Sequence, residues 1–242
     1  MDQPAVVHPD SWTAPMDARR ISPNEDTTDA TIDQVRRLVD LLPVDAEVPL
    51  FVFDAGYDPI AMAHGLADTR TQLLTRVRDD RVFYADPPAR PRRPTGTGGR
   101  PPRHGRRTRC SDRRTWDKPT EHLETNDHRC GKVTFAAWAG LHPKLAGRGH
   151  WAGHDAPPIV KGTVVRVEVE HLPKPTARTK KTLWLFWSGP GVPDLDLCWR
   201  PTCGASTSST PSASPRTPSG GRRRRCARPS RPSAGRGWSS GC

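Results

Sequence analysis

The stretch Pro49–Thr69, PLFVFDAGYDPIAMAHGLADT, decides the fold class of this chain. It opens with PLFVFD, a short apolar run of strand-forming residues bounded by Pro and Gly, which is typical of a strand buried on both faces. A turn at Gly56 follows, and a helix is predicted to begin near Pro59. Gln72–Val77 is a second candidate strand, continued by Val82–Tyr84. A strand, a helix and a strand with short connections indicate a parallel crossover unit and a mixed α/β core.

Segments on both sides extend this core. Upstream, residues 29–42 (DATIDQVRRLVDLL) have apolar residues at helical spacing, and Pro43 ends the predicted helix. Residues 86–115 are mostly Pro, Gly and Arg, which predicts a mobile loop because they have too little apolar surface to offset the entropy of ordering. A small β-rich subdomain is predicted after this loop, from three segments rich in β-branched and aromatic residues: Lys132–Leu141, Ile159–Leu172 and Thr182–Trp187.

The positive charge is concentrated in two arginine-rich stretches. The chain has 242 residues, of which 33% are apolar and 27 are proline, and its formal net charge is +12. Residues 201–242 carry eight Arg and no acid, and residues 87–115 carry ten Arg and one Asp. Such stretches attract phosphate backbones by counterion release, which points to nucleic acid as a partner. The alternative is that they are merely solvated loops.

Nothing in the sequence indicates a membrane or an oxidising compartment. There is no run of 18 apolar residues and no signal peptide after Met1, which predicts a cytoplasmic protein with no membrane partner. The six cysteines are therefore interpreted as unrelated thiols rather than as a disulfide framework. A zinc site is less favoured because no CxxC pair is present.

Asp54 is the residue whose position is best suited to chemistry. It ends the first strand and precedes a glycine turn, so its carboxylate is expected at the carboxyl edge of the sheet, where open α/β sheets place their ligands. A metal-binding role is one reading. The other is that Asp54 is a turn or cap residue, as strand-end aspartates commonly are. Asp58, four residues on, is interpreted as a turn residue or as part of a DNA-facing edge rather than as a replacement ligand.

The segment FVFDAGYDPIAMAHGLAD resembles the region around the second catalytic aspartate of DDE-superfamily transposases of bacterial insertion sequences. The resemblance continues through TRVRDDRVFYADPP, GRPPRHG, GLHPKL, PPIVKGTVVRVEVEHLPKP and KKTLWLFWSGPGVPDLDLCWR, and covers roughly residues 10–200. It implies a ribonuclease H-like fold in which three acids hold two Mg²⁺ ions, with Asp54 as the middle catalytic and metal-binding acid.

This resemblance also implies a division of the chain. We expect a partial ribonuclease H-like catalytic core in residues 1–86, a mobile loop in 87–115, a β-rich insertion in 116–200 and a disordered tail in 201–242. The first acid of the family lies upstream of the segment that SWTAPMDARR resembles, so no counterpart is expected here. The third acid, a Glu in the motif YxxRxxxExxxxxxK, would follow Arg200, where the composition changes abruptly.

A shift in reading frame accounts for that change. Residues 201–242 contain no Val, Ile, Leu, Met, Phe, Tyr, Asp, Glu or Lys. With allowed codons for residues 201–210, moving back one nucleotide permits AYLRRFDIEHT, and continuing across SPRTPSGG permits FAKNTLGW. The restored Glu then overlaps the codon of Ser209 and the restored Lys that of Arg216. Loss of this helix predicts marginal stability and a sheet that is partly exposed.

The sequence therefore predicts a transposase fragment that is inactive alone. An intact transposase is a candidate partner with which it could form an oligomer. The alternative is a non-catalytic basic protein that binds nucleic acid. In either case the arginines of residues 90–114 and the cluster before the last strand are expected to contact DNA phosphates, with salt-sensitive affinity. The cluster has a second interpretation, a hairpin loop kept soluble by its charge. The residues assigned to DNA are Arg103, Arg106, Arg107, Lys174, Arg178, Lys180 and Lys181.

Overall fold

The computed structural model describes residues 17–88, 102–172 and 180–198, all within the first of two units, Met1–Thr207. The predicted tail, 201–242, lies outside the described residues. Helices and strands follow one another along the described chain, together with two 3-10 turns, Arg113–Thr115 and Gly149–Trp151, and residues 195–198 are also helical. The elements are α1 Thr27–Asp40, β1 Leu50–Phe53, α2 Pro59–Gly65, β2 Gln72–Val77, β3 Val82–Tyr84, β4 Arg107–Arg109, β5 Glu121–Asp127, β6 Gly131–Leu141, β7 Gly162–Val169 and β8 Thr182–Ser188.

The predicted crossover unit is confirmed. Strand β1 pairs with β2 in parallel, with Leu50 opposite Gln72 and Phe53 opposite Thr75, and α2 connects them. Pro59 occupies the first turn of α2, while the carboxylate of Asp58 accepts hydrogen bonds from the backbone N–H groups of Ile60 and Ala61. Asp58 is thus the N-terminal cap of α2.

The remaining strands extend the same sheet. Its order is β1-β2-β8-β7-β6-β5, and every pair except β1–β2 is antiparallel. The mixed α/β class is therefore confirmed, with a mostly antiparallel sheet compatible with a DDE nuclease fold. Strands β5–β8 join the crossover unit through the pairing of β8 with β2, rather than forming a sheet of their own.

Apolar residues cover both faces of the sheet. One core packs the helices against residues such as Trp138, Val164 and Phe186, and the other contains Val133, Val165 and Leu185 on the opposite face. These second-face residues are at most 1% exposed, and Leu195 and Cys198, from the segment after β8, pack against them. The predicted partial exposure of the sheet does not extend to these residues, whereas Val52 of β1 and Leu123 of β5 are exposed.

A second, two-stranded sheet lies in the segment predicted to be a loop. Strands β3 and β4 pair antiparallel and form what we call the ribbon. Its inner side chains are Phe83, Thr108 and Cys110, each at most 4% exposed, and Phe83 stacks on Phe186 of the main sheet. Residues 102–115 differ from the expected mobile loop because these few side chains anchor them, whereas 89–101 lie outside the described residues.

Candidate functional site

Asp54 lies where the sequence predicted, immediately after β1 at the carboxyl edge of the parallel pair. Its side chain is exposed, and Oδ1 accepts a hydrogen bond of 2.8 Å from the backbone N–H of Gly56. Gly56 suits this tight turn, because a Cβ there would lie 3.0 Å from the same oxygen. The ring of Tyr57 packs 5.1 Å from that of Phe53 and supports the turn from the core side. The turn therefore fixes the carboxylate while leaving it open to solvent.

The residues around Asp54 do not by themselves fit a pair of Mg²⁺ ions. Magnesium is held by several oxygen ligands, and two ions need more than one carboxylate between them. Asp58 is occupied as the cap of α2. Across residues 17–88, 102–172 and 180–198, no three His, Cys, Asp or Glu side chains come together as a metal-binding group. Asp54 is thus a single acid at a suitable edge.

Two of the predicted DNA-contacting residues, Lys180 and Lys181, lie at the same end of the sheet as Asp54. They precede β8, whose first residues pair with the last of β2. Two strand spacings and four residues along β8 place Lys181 on the order of 15 Å from Asp54. Lys180 forms an ion pair with Asp79, and Lys181 Nζ donates to the backbone carbonyl of Glu170 at 2.5 Å. Lys174 and Arg178 lie outside the described residues.

Arg103 and Arg106 lie at the opposite end of the sheet. They are near the end of β6, where Tyr84 and His142 exchange backbone hydrogen bonds of 2.7 and 3.0 Å. Arg103 donates to the carbonyl of Pro157, and Arg106 forms an ion pair with Asp117. The predicted set therefore does not converge on Asp54, and these two cations are held by protein groups.

A histidine pair holds this second end together. His142 is fully buried, and its Nε2 lies 3.0 Å from Nδ1 of His104, so one proton is shared between the two rings. Within the described residues, Nδ1 of His142 has no hydrogen-bond partner. Burial lowers the pKa of His142, and positive neighbours, including Lys161 and Arg103, lower it further against the opposite effect of Asp86. Burial likewise lowers the pKa of His104.

The outer face of the ribbon carries exposed arginines. Strand β4 alternates exposed, buried, exposed, so Arg107 and Arg109 point outward on either side of Thr108. Their cross-strand partners on that face are Tyr84 and Val82. Arg113 and Arg114 follow in the adjacent 3-10 turn. None of these four arginines forms an ion pair with any of the described residues.

Comparison with known families identifies the lineage. A family model described as DDE superfamily endonuclease matches residues 3–144, more than half of the chain. The chain belongs to this DDE endonuclease family. Neither the comparison with curated proteins nor that with solved structures found a match. The family expected from the sequence is thereby confirmed, and the family implies DNA as substrate and, in general, a divalent metal.

The DDE match covers Asp54 and both strands of the ribbon, and ends just after β6. Sequence reasoning named Arg107 individually and the other ribbon arginines only as members of residues 90–114. The signal for the outward pair was the alternation in Arg107–Cys110, RTRC, which has the period of a strand. No helix in the described part of the chain is long and apolar enough to cross a membrane.

Proposed function

We propose that this DDE family member is a fragment of a transposase, evolved for Mg²⁺-dependent cleavage and joining of DNA strands and inactive by itself. The observation that carries the proposal is the isolation of Asp54. It occupies the carboxyl edge of a parallel strand pair in a DDE family member, but it belongs to no group of three metal-ligating side chains among the described residues. One carboxylate cannot clamp two metal ions, so the chemistry needs acids that this arrangement does not supply.

A change of reading frame near residue 200 is the proposed reason for the missing glutamate. The support comes from composition, because residues 201–242 contain no Val, Ile, Leu, Asp or Glu. In addition, the neighbouring reading frame permits the family spacing YxxRxxxExxxxxxK. The nucleotide sequence of the gene and its flanks tests this directly. We expect the Tyr, Arg, Glu and Lys codons in the frame displaced by one nucleotide. Their absence there would make the basic tail a genuine part of the protein and refute the frameshift.

A cleavage assay tests the absence of activity. The full chain, incubated with supercoiled plasmid and Mg²⁺, is expected to nick DNA no faster than its Asp54→Asn variant. A protein with the frame restored after Arg200 is the matched comparison, because it adds the glutamate without changing residues 1–200. Nicking by the original chain that disappears in Asp54→Asn would show that the fragment is active and would overturn the proposal.

A second function, DNA binding without chemistry, is favoured by the ribbon. Four arginines there have no carboxylate partner among the described residues. A guanidinium group can donate two parallel N–H bonds to two oxygens of one phosphate, so each of these arginines is suited to a phosphate contact. We propose that the chain retains DNA binding in the cytoplasm and can associate with an intact relative at the same DNA. Binding of a duplex oligonucleotide that weakens steeply with salt is the expected result.

A further inference from the structure

The outer face of the ribbon carries arginines that have no carboxylate partner among the described residues. We propose that this face, made by Arg107 and Arg109 of β4 with Arg113 and Arg114 beside them, is the surface through which the chain binds the phosphate backbone of duplex DNA. The inference rests on the DNA binding proposed above and names the residues responsible. It assigns this role to the ribbon and withdraws it from Arg103, Arg106, Lys180 and Lys181, which protein groups hold.

The basic residues of the described chain differ in their partners. Arg106 and Lys180 are neutralised by Asp117 and Asp79, while Arg103 is held by a carbonyl group. The outward arginines of the ribbon have no such partner in the described residues. A DNA phosphate can contact these arginines without first breaking an ion pair. Each phosphate that an arginine neutralises then releases its condensed counterion.

The acids near the ribbon are already engaged. Asp79 pairs with Lys180, Asp80 with Arg78 and Asp117 with Arg106. The carboxylate of Asp112 caps the 3-10 turn by accepting the backbone N–H of Arg114 at 3.1 Å. The positive charge of the outer face is therefore left for an external anion.

The backbone beneath these arginines is held in place. Phe83, Thr108 and Cys110 fix the inner face of the ribbon against the main sheet. Arg109 is held on both sides, because its N–H donates to the hydroxyl of Thr115 at 2.8 Å and its carbonyl accepts from the indole of Trp116 at 2.9 Å. Arg107 and Arg109 thus project from fixed points about 6.8 Å apart along one strand, and binding orders only their side chains.

The nature of the surface predicts how DNA is recognised. The face presents guanidinium groups and half-buried Val82 and Tyr84. Guanidinium groups can bind guanine edges as well as phosphates, so an affinity independent of base sequence is the result expected when the contacts are to phosphates alone. The side chain of Tyr84 packs beside His104, with ring centroids 5.3 Å apart, and adds rigidity to this end of the ribbon.

The test measures the dissociation constant of the full chain for a fluorescent duplex oligonucleotide at several salt concentrations. Replacing Arg107 and Arg109 together by Gln is expected to lower the slope of log K against log salt by about 1.8, or about 0.9 for each lost phosphate contact. The matched control is Arg20→Gln with Arg148→Gln. These two exposed arginines also have no ion pair in the described residues but lie off the ribbon, so the same loss of net charge should leave the slope nearly unchanged.

The outcomes separate this inference from the proposed function. No binding by the unchanged chain at low salt would refute DNA binding itself. Binding with the same slope in the Arg107 and Arg109 variant, or an equal loss in the control, would refute the ribbon as the contact surface. Arg107→Lys with Arg109→Lys keeps the charge and should retain the slope. Arg113→Gln with Arg114→Gln tests the neighbouring pair if the first variant fails to fold, and an unchanged slope there would also count against the proposal.

Discussion

Replacing Phe83 by Ala tests whether the ribbon belongs to the folded core or opens as a separate lobe. Phe83 is 2% exposed, and its ring stacks on Phe186 with centroids 5.8 Å apart and an interplanar angle of 6°. Truncating a buried phenylalanine to alanine removes its transfer free energy and leaves a cavity, which together cost about 3–5 kcal/mol. A domain of this kind is stable by only about 5–15 kcal/mol, so a large share of the free energy of unfolding would be lost.

Urea unfolding measures this loss. With an m-value of about 1–3 kcal/mol/M, the unfolding midpoint of Phe83→Ala should fall by about 1 M or more, with m unchanged. Phe83→Leu is the control, because it keeps most of the volume and should cost about 1 kcal/mol. A reduced m-value would instead mean that the denatured or native state had changed in compactness.

Cys110 reports separately on local opening. Its side chain is 2% exposed, and burial raises the pKa of its thiol to about 12, so it should react very slowly with a thiol reagent in the native protein. Mass spectrometry of the labelled protein distinguishes it from the other cysteines. A loss below about 1 kcal/mol with Cys110 still protected would contradict the packing of Phe83. The same small loss with rapid labelling of Cys110 would show that the ribbon opens alone and is not part of the cooperative core.

Three further changes probe other contacts. The pKa values of His142 and His104 are lowered in the folded state, so the unfolded chain takes up protons more readily. The free energy of unfolding should therefore be constant above pH about 6.5 and decrease below it, by at most about 1.4 kcal/mol per pH unit for each histidine. Chemical denaturation from pH 8 to 5 measures this, and His142→Asn should flatten the profile. Asp58→Ala removes the cap of α2 and should cost about 0.5–2 kcal/mol, whereas Asp58→Asn should keep most of the stability; equal losses would argue against capping. Gly162→Ala should destabilise by about 1–3 kcal/mol in a thermal melt, because its Cβ would lie 2.3 Å from Cζ of Phe186; an unchanged melting temperature would contradict that close approach.

Local patterns were sufficient for the elements that lie close together in the chain. The apolar run at β1, the turn at Gly56 and the proline at the start of α2 each act within a few residues, so the crossover unit followed from the sequence. The position of Asp54 at the carboxyl edge followed with it, because a parallel pair aligns its carboxyl ends. Strand β4 was missed because it is three residues long and surrounded by Pro, Gly and Arg.

Which cations are available for DNA could not be predicted, because it depends on contacts between distant residues. Arg103 reaches the carbonyl of Pro157 and Lys180 reaches Asp79, partners separated from them by 54 and 101 residues. Charge counting treats all arginines of a basic stretch alike. The structure divides them into those held by protein groups and those pointing outward.

The sequence by itself determined the family, through the resemblance of its segments. It also determined the α/β class and the placement of one acid at a strand end, because apolar and turn patterns act within a few residues. Only the tertiary structure decided that β5–β8 extend the same sheet through the pairing of β8 with β2 and that His104 meets His142. It also decided that Asp54 belongs to no group of three metal-ligating side chains among the described residues. These features depend on strand order and on side chains brought together across many residues. Such long-range pairing is set by how both faces of the sheet are buried, which no local window of sequence contains.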